Sequence, residues 1–255
     1  MADDELVLLR FDGPVAIVSL NRPERHNAAN DAMDAAFFAV LERLHAEPGV
    51  RAVVLRGEGS SFSSGRDTSE LGARAEGVSD FEFIEHGHAK TRLLLTMPAP
   101  IVVALKGWAI GGSFERALLC DIRVAADDAR MRLPEVAYGV IPDSAGVARL
   151  FQMCGHGVAS DLVLTGRVMD AAEALTHGVV SRVVPAEELD TTVLEMAHAI
   201  AAMPRLAVKM ARRTIASLGH PEVVRTLDEE LLAQTAVMAS AEYRALRDER
   251  LAPGG

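Results

Sequence analysis

An apolar run, Pro100 to Leu105, leads through Lys106-Gly-Trp-Ala-Ile-Gly-Gly-Ser-Phe-Glu115 into Arg116-Ala-Leu-Leu-Cys-Asp121. The run reads as a buried strand, and Phe114, Ala117, Leu118 and Cys120 fit the buried side of a helix, so a glycine turn joins strand to helix. Gly111 and Gly112 let the backbone approach a ligand closely, and the first amides of the helix have no partners within it. Such amides, backed by roughly +0.5 charge of helix dipole, suit an anion or a developing oxyanion. Glu115 follows Gly112 within about one turn, so a carboxylate and an oxyanion donor meet on one side of it. The same residues also suit a plain tight turn with packing glycines and a solvated glutamate.

The chain has 255 residues, 49% of them hydrophobic and 24% charged, the balance of a globular protein of one large domain or one with an appendage. Its formal net charge of -10 argues against broad nucleic-acid binding. No apolar run approaches the roughly 20 residues of a membrane span. The start, Met-Ala-Asp-Asp-Glu, lacks the basic-then-apolar order of a secretory signal. Cys120 and Cys154 lie in apolar surroundings without metal-like spacing and read as buried free thiols in a reducing cytoplasm.

Along the chain, Leu6–Phe11 and Val15–Leu20 read as a hairpin around Asp12-Gly13-Pro14. Asn30 or Asp31 caps a helix to about Ala46, and Arg51–Arg56 holds a short strand. Phe62-Ser-Ser-Gly65-Arg66-Asp67 is a second glycine turn before a helix-like piece, Thr68–Arg74; it presents an amide beside a helix start or is a surface turn. Ser79 or Asp80 caps a helix to about Met97, in which Glu85-His86-Gly87-His88 has the look of a metal site but no third ligand, so no metal is expected. Ile122–Ala125 reads as a strand, and Glu135 as projecting from the short extended segment that Pro134 imposes. The stretch after about Ala186 is helical, with Gly219-His220-Pro221 expected to break it into Arg205–Leu218 and Val223–Arg250. The expectation is therefore an α/β core over 1–185 and a helical region over 186–255, packed on the core or on neighbouring subunits.

Six ordered landmarks carry a resemblance: Asn21-Arg-Pro…Asn27-Ala28, Phe62–Asp67, Gly107–Asp121, Leu133-Pro-Glu135, Leu164-Thr-Gly-Arg167 and Gly178-Val-Val…Val184-Pro185. The chain resembles the enoyl-CoA hydratase/isomerase superfamily, the crotonases. The resemblance implies a spiral of β-β-α units, a C-terminal helical region used in trimerisation, and acyl-CoA thioester substrates. It implies a homotrimer or a dimer of trimers, and no cofactor is expected beyond the coenzyme A carried by the substrate; the net charge and the lack of a long apolar run argue against nucleic acid and membrane as partners. The resemblance also implies an oxyanion hole of two backbone amides, which falls on Arg66 and Gly112, and a glutamate pair, which falls on Glu115 and Glu135. Coenzyme A is expected along Asn21–Asn27 and Ser64–Asp67, with Arg25, His26, Ser64, Gly65, Asp67 and Gly111 as contacts. The activity implied is hydration of a 2-enoyl-CoA.

Two departures leave other readings open. Arg66 stands where relatives usually carry a small residue, and its guanidinium can pair with a substrate carboxylate or with a nearby glutamate. Pro142-Asp143-Ser-Ala-Gly146 replaces the Pro-Gly-x-Gly-Gly of the hydratases, so Asp143 is either an N-cap or an additional acid. An enoyl-CoA isomerase or another acyl-CoA reaction that uses Asp143 or Arg66 is one alternative. A non-catalytic acyl-CoA- or RNA-binding relative is the other.

Overall fold

The computed structural model describes residues 5–70 and 77–251. Val7–Asp12 (β1) and Val15–Leu20 (β2) form the expected antiparallel hairpin. Asn30 caps Asp31–His45 (α1) by accepting the Met33 amide, and Ser79 opens Asp80–Thr96 (α2) in a reciprocal capping box with Glu82. The helix-like piece expected after Asp67 shows a 3-10 turn, Thr68–Glu70, and its remainder lies outside the described residues.

The middle of the chain climbs as a spiral. Ala52–Gly57 (β3), Ile101–Leu105 (β4), Ile122–Ala126 (β6) and Arg182–Val184 (β9) pair in parallel, and with β1 and β2 they make a six-stranded sheet. After each of the first three of these strands the chain crosses to a second, narrower layer: a bridge at Ser63, then Trp108–Ile110 (β5), then Arg130–Arg132 (β7). Ser63 pairs with Ala109 and Ala109 with Met131, so successive turns of the spiral stack in register. Met169–Asp170 (β8) closes the small sheet antiparallel to β7.

Along β3 and β4 alternate residues enter opposite cores, which is why both read as continuous apolar runs. Val53, Leu55, Val103 and Leu105 face Phe37 and Phe38 of α1 and Phe114 of Gly111–Leu119 (α3). Val54, Val102 and Ala104 face Leu189, Val193 and Ala197 of Leu189–Ala202 (α6). The first helix after residue 185 thus covers the second face of the main sheet.

Gly146–Thr165 (α4) turns at Gly155, and Ala171–Thr176 (α5) precedes β9. Contrary to expectation, Gly219-His220-Pro221 does not end a helix: Arg205–Met238 (α7) runs through it, and the break comes before Ala241–Leu251 (α8). Pro221 removes one helix hydrogen bond. Packing outweighs that loss, since Val223 and Leu227 bury against Leu95 and Leu119, and Gln152 of α4 donates to the Gly219 carbonyl at 3.0 Å. No helix among the described residues is long and apolar enough to cross a membrane.

Gly107, at the step from β4 to β5, has φ +48°, and a Cβ there would lie 2.2 Å from the Ser60 carbonyl oxygen. Gly107→Ala is expected to destabilise the fold by more than the roughly 1–2 kcal/mol of left-handed strain alone, read as a lowered denaturation midpoint. An unchanged midpoint would show that the step tolerates a side chain.

Candidate active site

The spiral brings together residues far apart in sequence because each turn ends its second-layer strand at the same level. The Ser63 bridge runs on to Arg66, β5 to Gly112, and β7 to Glu135. Gly65 (φ +87°) lies so near the next turn that a Cβ would be 2.8 Å from the Ile110 carbonyl oxygen. Gly111 (φ +58°) does the same one level on, where a Cβ would meet Glu135 Oε1 at 2.8 Å. Gly65 is a steric requirement for stacking two levels, and at Gly111 the positive φ favours glycine while the Glu135 carboxyl lies against it.

The two amides implied by the resemblance are oriented by this stacking. The bridge between Ala29 and Arg66 uses the Gly65 carbonyl and the Asp67 amide, at 2.7 and 2.9 Å. The intervening Arg66 N–H therefore turns to the opposite side. Gly112 sits in the first turn of α3, where amides have no intrahelical partner. Arg66, Gly112, Glu115, Glu135 and Asp143 all line one cavity of about 770 Å³.

Glu115 is buried in α3, and its Oε1 accepts the Ser144 and Gly146 amides, each at 3.1 Å. Its carboxyl is held well above the ordinary range, first by burial and then by the nearby Glu135, Glu230 and Asp143. Glu135 begins the 3-10 turn Glu135–Tyr138, and its Oε2 is buried without a protein partner. Burial pushes Glu135 up to about 7, its own amide and Arg132 opposing and Asp143 adding. Two carboxyls that favour the protonated form, one with an oxygen left for a ligand, suit proton transfer near neutral pH.

A raised carboxyl also leaves a mark on stability. Glu135 moves from the ordinary 4.5 to about 7 on folding, so the stability it contributes is complete below the lower value and is lost as pH rises through the upper one. Glu135→Gln is expected to unfold at a higher temperature than wild type at about pH 8 and at a similar temperature at about pH 4. Parallel melting curves at both pH values would overturn this.

The Arg66 side chain turns away from the glutamate pair. Its Nη2 meets Asp31 Oδ1 at 2.5 Å and its Nη1 lies 3.7 Å from Asp34 Oδ2. Asp34 also receives a bidentate pair from Arg116, at 2.7 and 3.2 Å. Burial pushes Asp34 up, but Arg116, Arg66 and Lys90 outweigh it and hold the carboxyl below its usual range. Asp143 is not an N-cap: α4 is capped by Ala145 (φ +60°) without a side-chain acceptor of its own. Carboxylates from other helices take the amides there instead. The Asp143 carbonyl accepts from the buried His88, and His86 is exposed; no group of three metal-ligand side chains occurs among the described residues.

Arg25, His26, Ser64, Gly65, Asp67 and Gly111 do not line the cavity. Arg25 is exposed, His26 Nδ1 lies 3.0 Å from Ser61 Oγ, and the Ser64 amide donates to the His26 carbonyl at 2.8 Å. Asp67 commits its carboxylate to Ser69 and to Arg22, which is 3.0 Å away. These contacts pin the Asn21–Asn27 loop to the strand that carries Arg66. Cys120 is buried and Cys154 half-buried, both free.

One residue that acts from behind the cavity wall carries no local sequence signal. Glu230 of α7 is buried, and its Oε2 accepts the Ala145 amide at 2.8 Å. On sequence it is one of many acids in a charged helix, and only the packing of α7 reveals it.

The profile of the enoyl-CoA hydratase/isomerase family matches residues 10–248. A protein named "Probable enoyl-CoA hydratase" from Mycobacterium bovis is 36% identical over 93% of this chain and 90% of its own. The short-chain-enoyl-CoA hydratase of Clostridium acetobutylicum is 36% identical over 82% of this chain and 80% of its own. Among solved structures, an enoyl-CoA hydratase/isomerase from Mycobacterium paratuberculosis superposes with a TM-score of 0.88 at 26% identity, covering 98% of this chain and 100% of its own. One from Pseudoalteromonas atlantica superposes with a TM-score of 0.84 at 31% identity, covering 98% and 99%.

Proposed function

The chain belongs to the enoyl-CoA hydratase/isomerase family, and on that premise we propose that it catalyses reversible addition of water across the 2,3 double bond of a 2-enoyl-CoA thioester. The observation that carries this reading is that Glu115 and Glu135 share one cavity with Arg66 and Gly112, the residues whose amides the family resemblance makes the oxyanion donors. Hydration needs both parts. As a water oxygen bonds to the β carbon, the π electrons shift toward the thioester and negative charge gathers on its oxygen. The two amides receive that oxygen. One carboxylate takes the proton the water loses, and the other carboxyl delivers a proton to the α carbon. Raised proton affinities let the coupled pair hold a proton and a charge together near neutral pH.

The exposed Arg25 supplies positive charge for the phosphates of coenzyme A beside the Asn21–Asn27 loop. Leu206, Ile215, Leu218 and Leu232 of α7 are exposed, which supports contact with further copies of the chain, in the homotrimer or dimer of trimers that the family resemblance implies. The cytoplasm is the compartment in which coenzyme A thioesters and free thiols fit.

The test is loss of the conjugated thioester absorbance of crotonyl-CoA. No turnover of short or medium 2-enoyl-CoA by folded protein would sink the reading. Asp143 in the cavity wall favours a second reading, movement of a double bond. A 3-enoyl-CoA that gains conjugated absorbance, without hydration of crotonyl-CoA, would select it.

A further inference from the structure

Glu230 reaches the site from α7, at the far end of the sequence. Its Oε2 accepts the Ala145 amide at 2.8 Å, and the amides on either side, Ser144 and Gly146, both hold Glu115 Oε1 at 3.1 Å. Three consecutive amides are thus divided between two buried carboxyls on different helices. One helical turn on, Gln234 Oε1 accepts the Ile141 amide at 3.0 Å, so α7 grips the segment at two points.

Other groups share the grip on this turn: His88 holds the Asp143 carbonyl, and Ala145 is buried among Leu95, Leu119, Val223 and Leu227. Ala145 stands at φ +60°, a conformation that costs a residue with a side chain roughly 1–2 kcal/mol. Ala145 itself, at the N-cap of α4, offers no side-chain acceptor. The Gly146 backbone packs closely on Glu115, since a Cβ on Gly146 would lie 2.5 Å from the Glu115 Cβ and Cγ.

We infer that Glu230 is a positioning residue: by holding the Ala145 amide it fixes the turn whose flanking amides orient Glu115 for proton transfer. This rests on the catalytic part proposed for Glu115. The ionisable groups around Glu230 are Glu115 of α3, Asp143 of the turn, Glu229 on its own helix, and His88 of α2, which holds the Asp143 carbonyl. Burial first, then Asp143 and Glu229, push Glu230 up to about 8 against the Ala145 hydrogen bond. It keeps its proton at neutral pH and gains charge beside Glu115 on the alkaline side.

Two variants separate positioning from mere structural support. Glu230→Ala removes the acceptor and is expected to lower kcat by up to about 100-fold, the cost of a displacement near 1 Å, with KM little changed. Glu230→Gln keeps an oxygen for Ala145 and should keep kcat near wild type at neutral pH. It also removes the charge that helps Glu115 keep its proton, so the alkaline limb of its kcat profile should move to lower pH.

Wild-type kcat in the alanine variant, or a glutamine profile superimposable on wild type, would overturn the inference. If Glu230→Ala does not fold, the glutamine profile decides. If the wild type hydrates no enoyl-CoA, it is the hydratase reading that fails. The carboxyl titration of Glu115 in folded ¹³C-glutamate-labelled wild type and Glu230→Gln then decides for Glu230, with an unshifted titration overturning its role.

Discussion

Glu115→Gln is expected to lower the rate of crotonyl-CoA hydration by about 10²–10⁴-fold, the range that general acid-base help supplies. The substitution is conservative where the fold is concerned. A glutamine oxygen can accept the Ser144 and Gly146 amides as Glu115 Oε1 does at 3.1 Å, so the turn and α4 should stand. What is lost is a group that can give and take a proton. Glu135→Gln should produce a loss in the same range, since its unpartnered Oε2 is the oxygen left for water or substrate. Because two groups that move protons for one reaction act as a unit, the double variant should fall little further than the slower single variant. Rates followed by thioester absorbance, with acyl-CoA affinity measured by calorimetry, check both points. Near-full activity in either single variant would remove that residue from the chemistry. A loss of affinity equal to the loss of rate would assign it to binding.

Gly112→Pro is the second large effect, because it deletes an amide without touching a side chain. Removing one oxyanion donor costs roughly 2.7–4 kcal/mol of transition-state stabilisation, or about 10²–10³-fold in kcat. Gly112 is the second residue of α3, within the first turn, where a missing N–H breaks no helix hydrogen bond. A Cβ at Gly112 meets nothing within 4 Å, so Gly112→Ala serves as the control that adds a side chain and keeps the amide. The alanine variant should fold as wild type and lose far less activity than the proline variant. Equal losses would mean that bulk in the cavity, and not the amide, sets the rate.

Local chemistry was legible in the sequence wherever a few neighbouring residues suffice to decide it. Asn30 and Ser79 cap their helices because a cap needs only its own oxygen and an amide within one turn. Gly112 and Glu115 were readable as one turn of α3 for the same reason. The apolar run into Leu105 gave a buried strand, since a strand covered on both faces needs no polar alternation. Family membership followed from ordered landmarks, with the substrate and the roles of site residues attached to it only as implications.

Other features depend on what packs against what. Pro221 signals a helix end by its own chemistry, yet α7 continues because Val223 and Leu227 bury on the far side of it. Asp143 reads as a cap or an additional acid, and the cap is ruled out because Glu115 and Glu230 reach the start of α4 from outside and take the amides there. The Arg66 guanidinium is drawn from the glutamate pair to Asp31 and Asp34 by charge on α1. Glu135 meets Gly111, and the Arg66 amide turns free of Ala29, only because the spiral stacks Ser63, Ala109 and Met131 in register. By itself, then, the sequence determined the capped helices, the buried strands and the residue types of the site, but not where α7 ends. The register between layers decided which of those residues share a cavity, and burial beside other carboxyls raised their proton affinities, because both depend on neighbours distant along the chain.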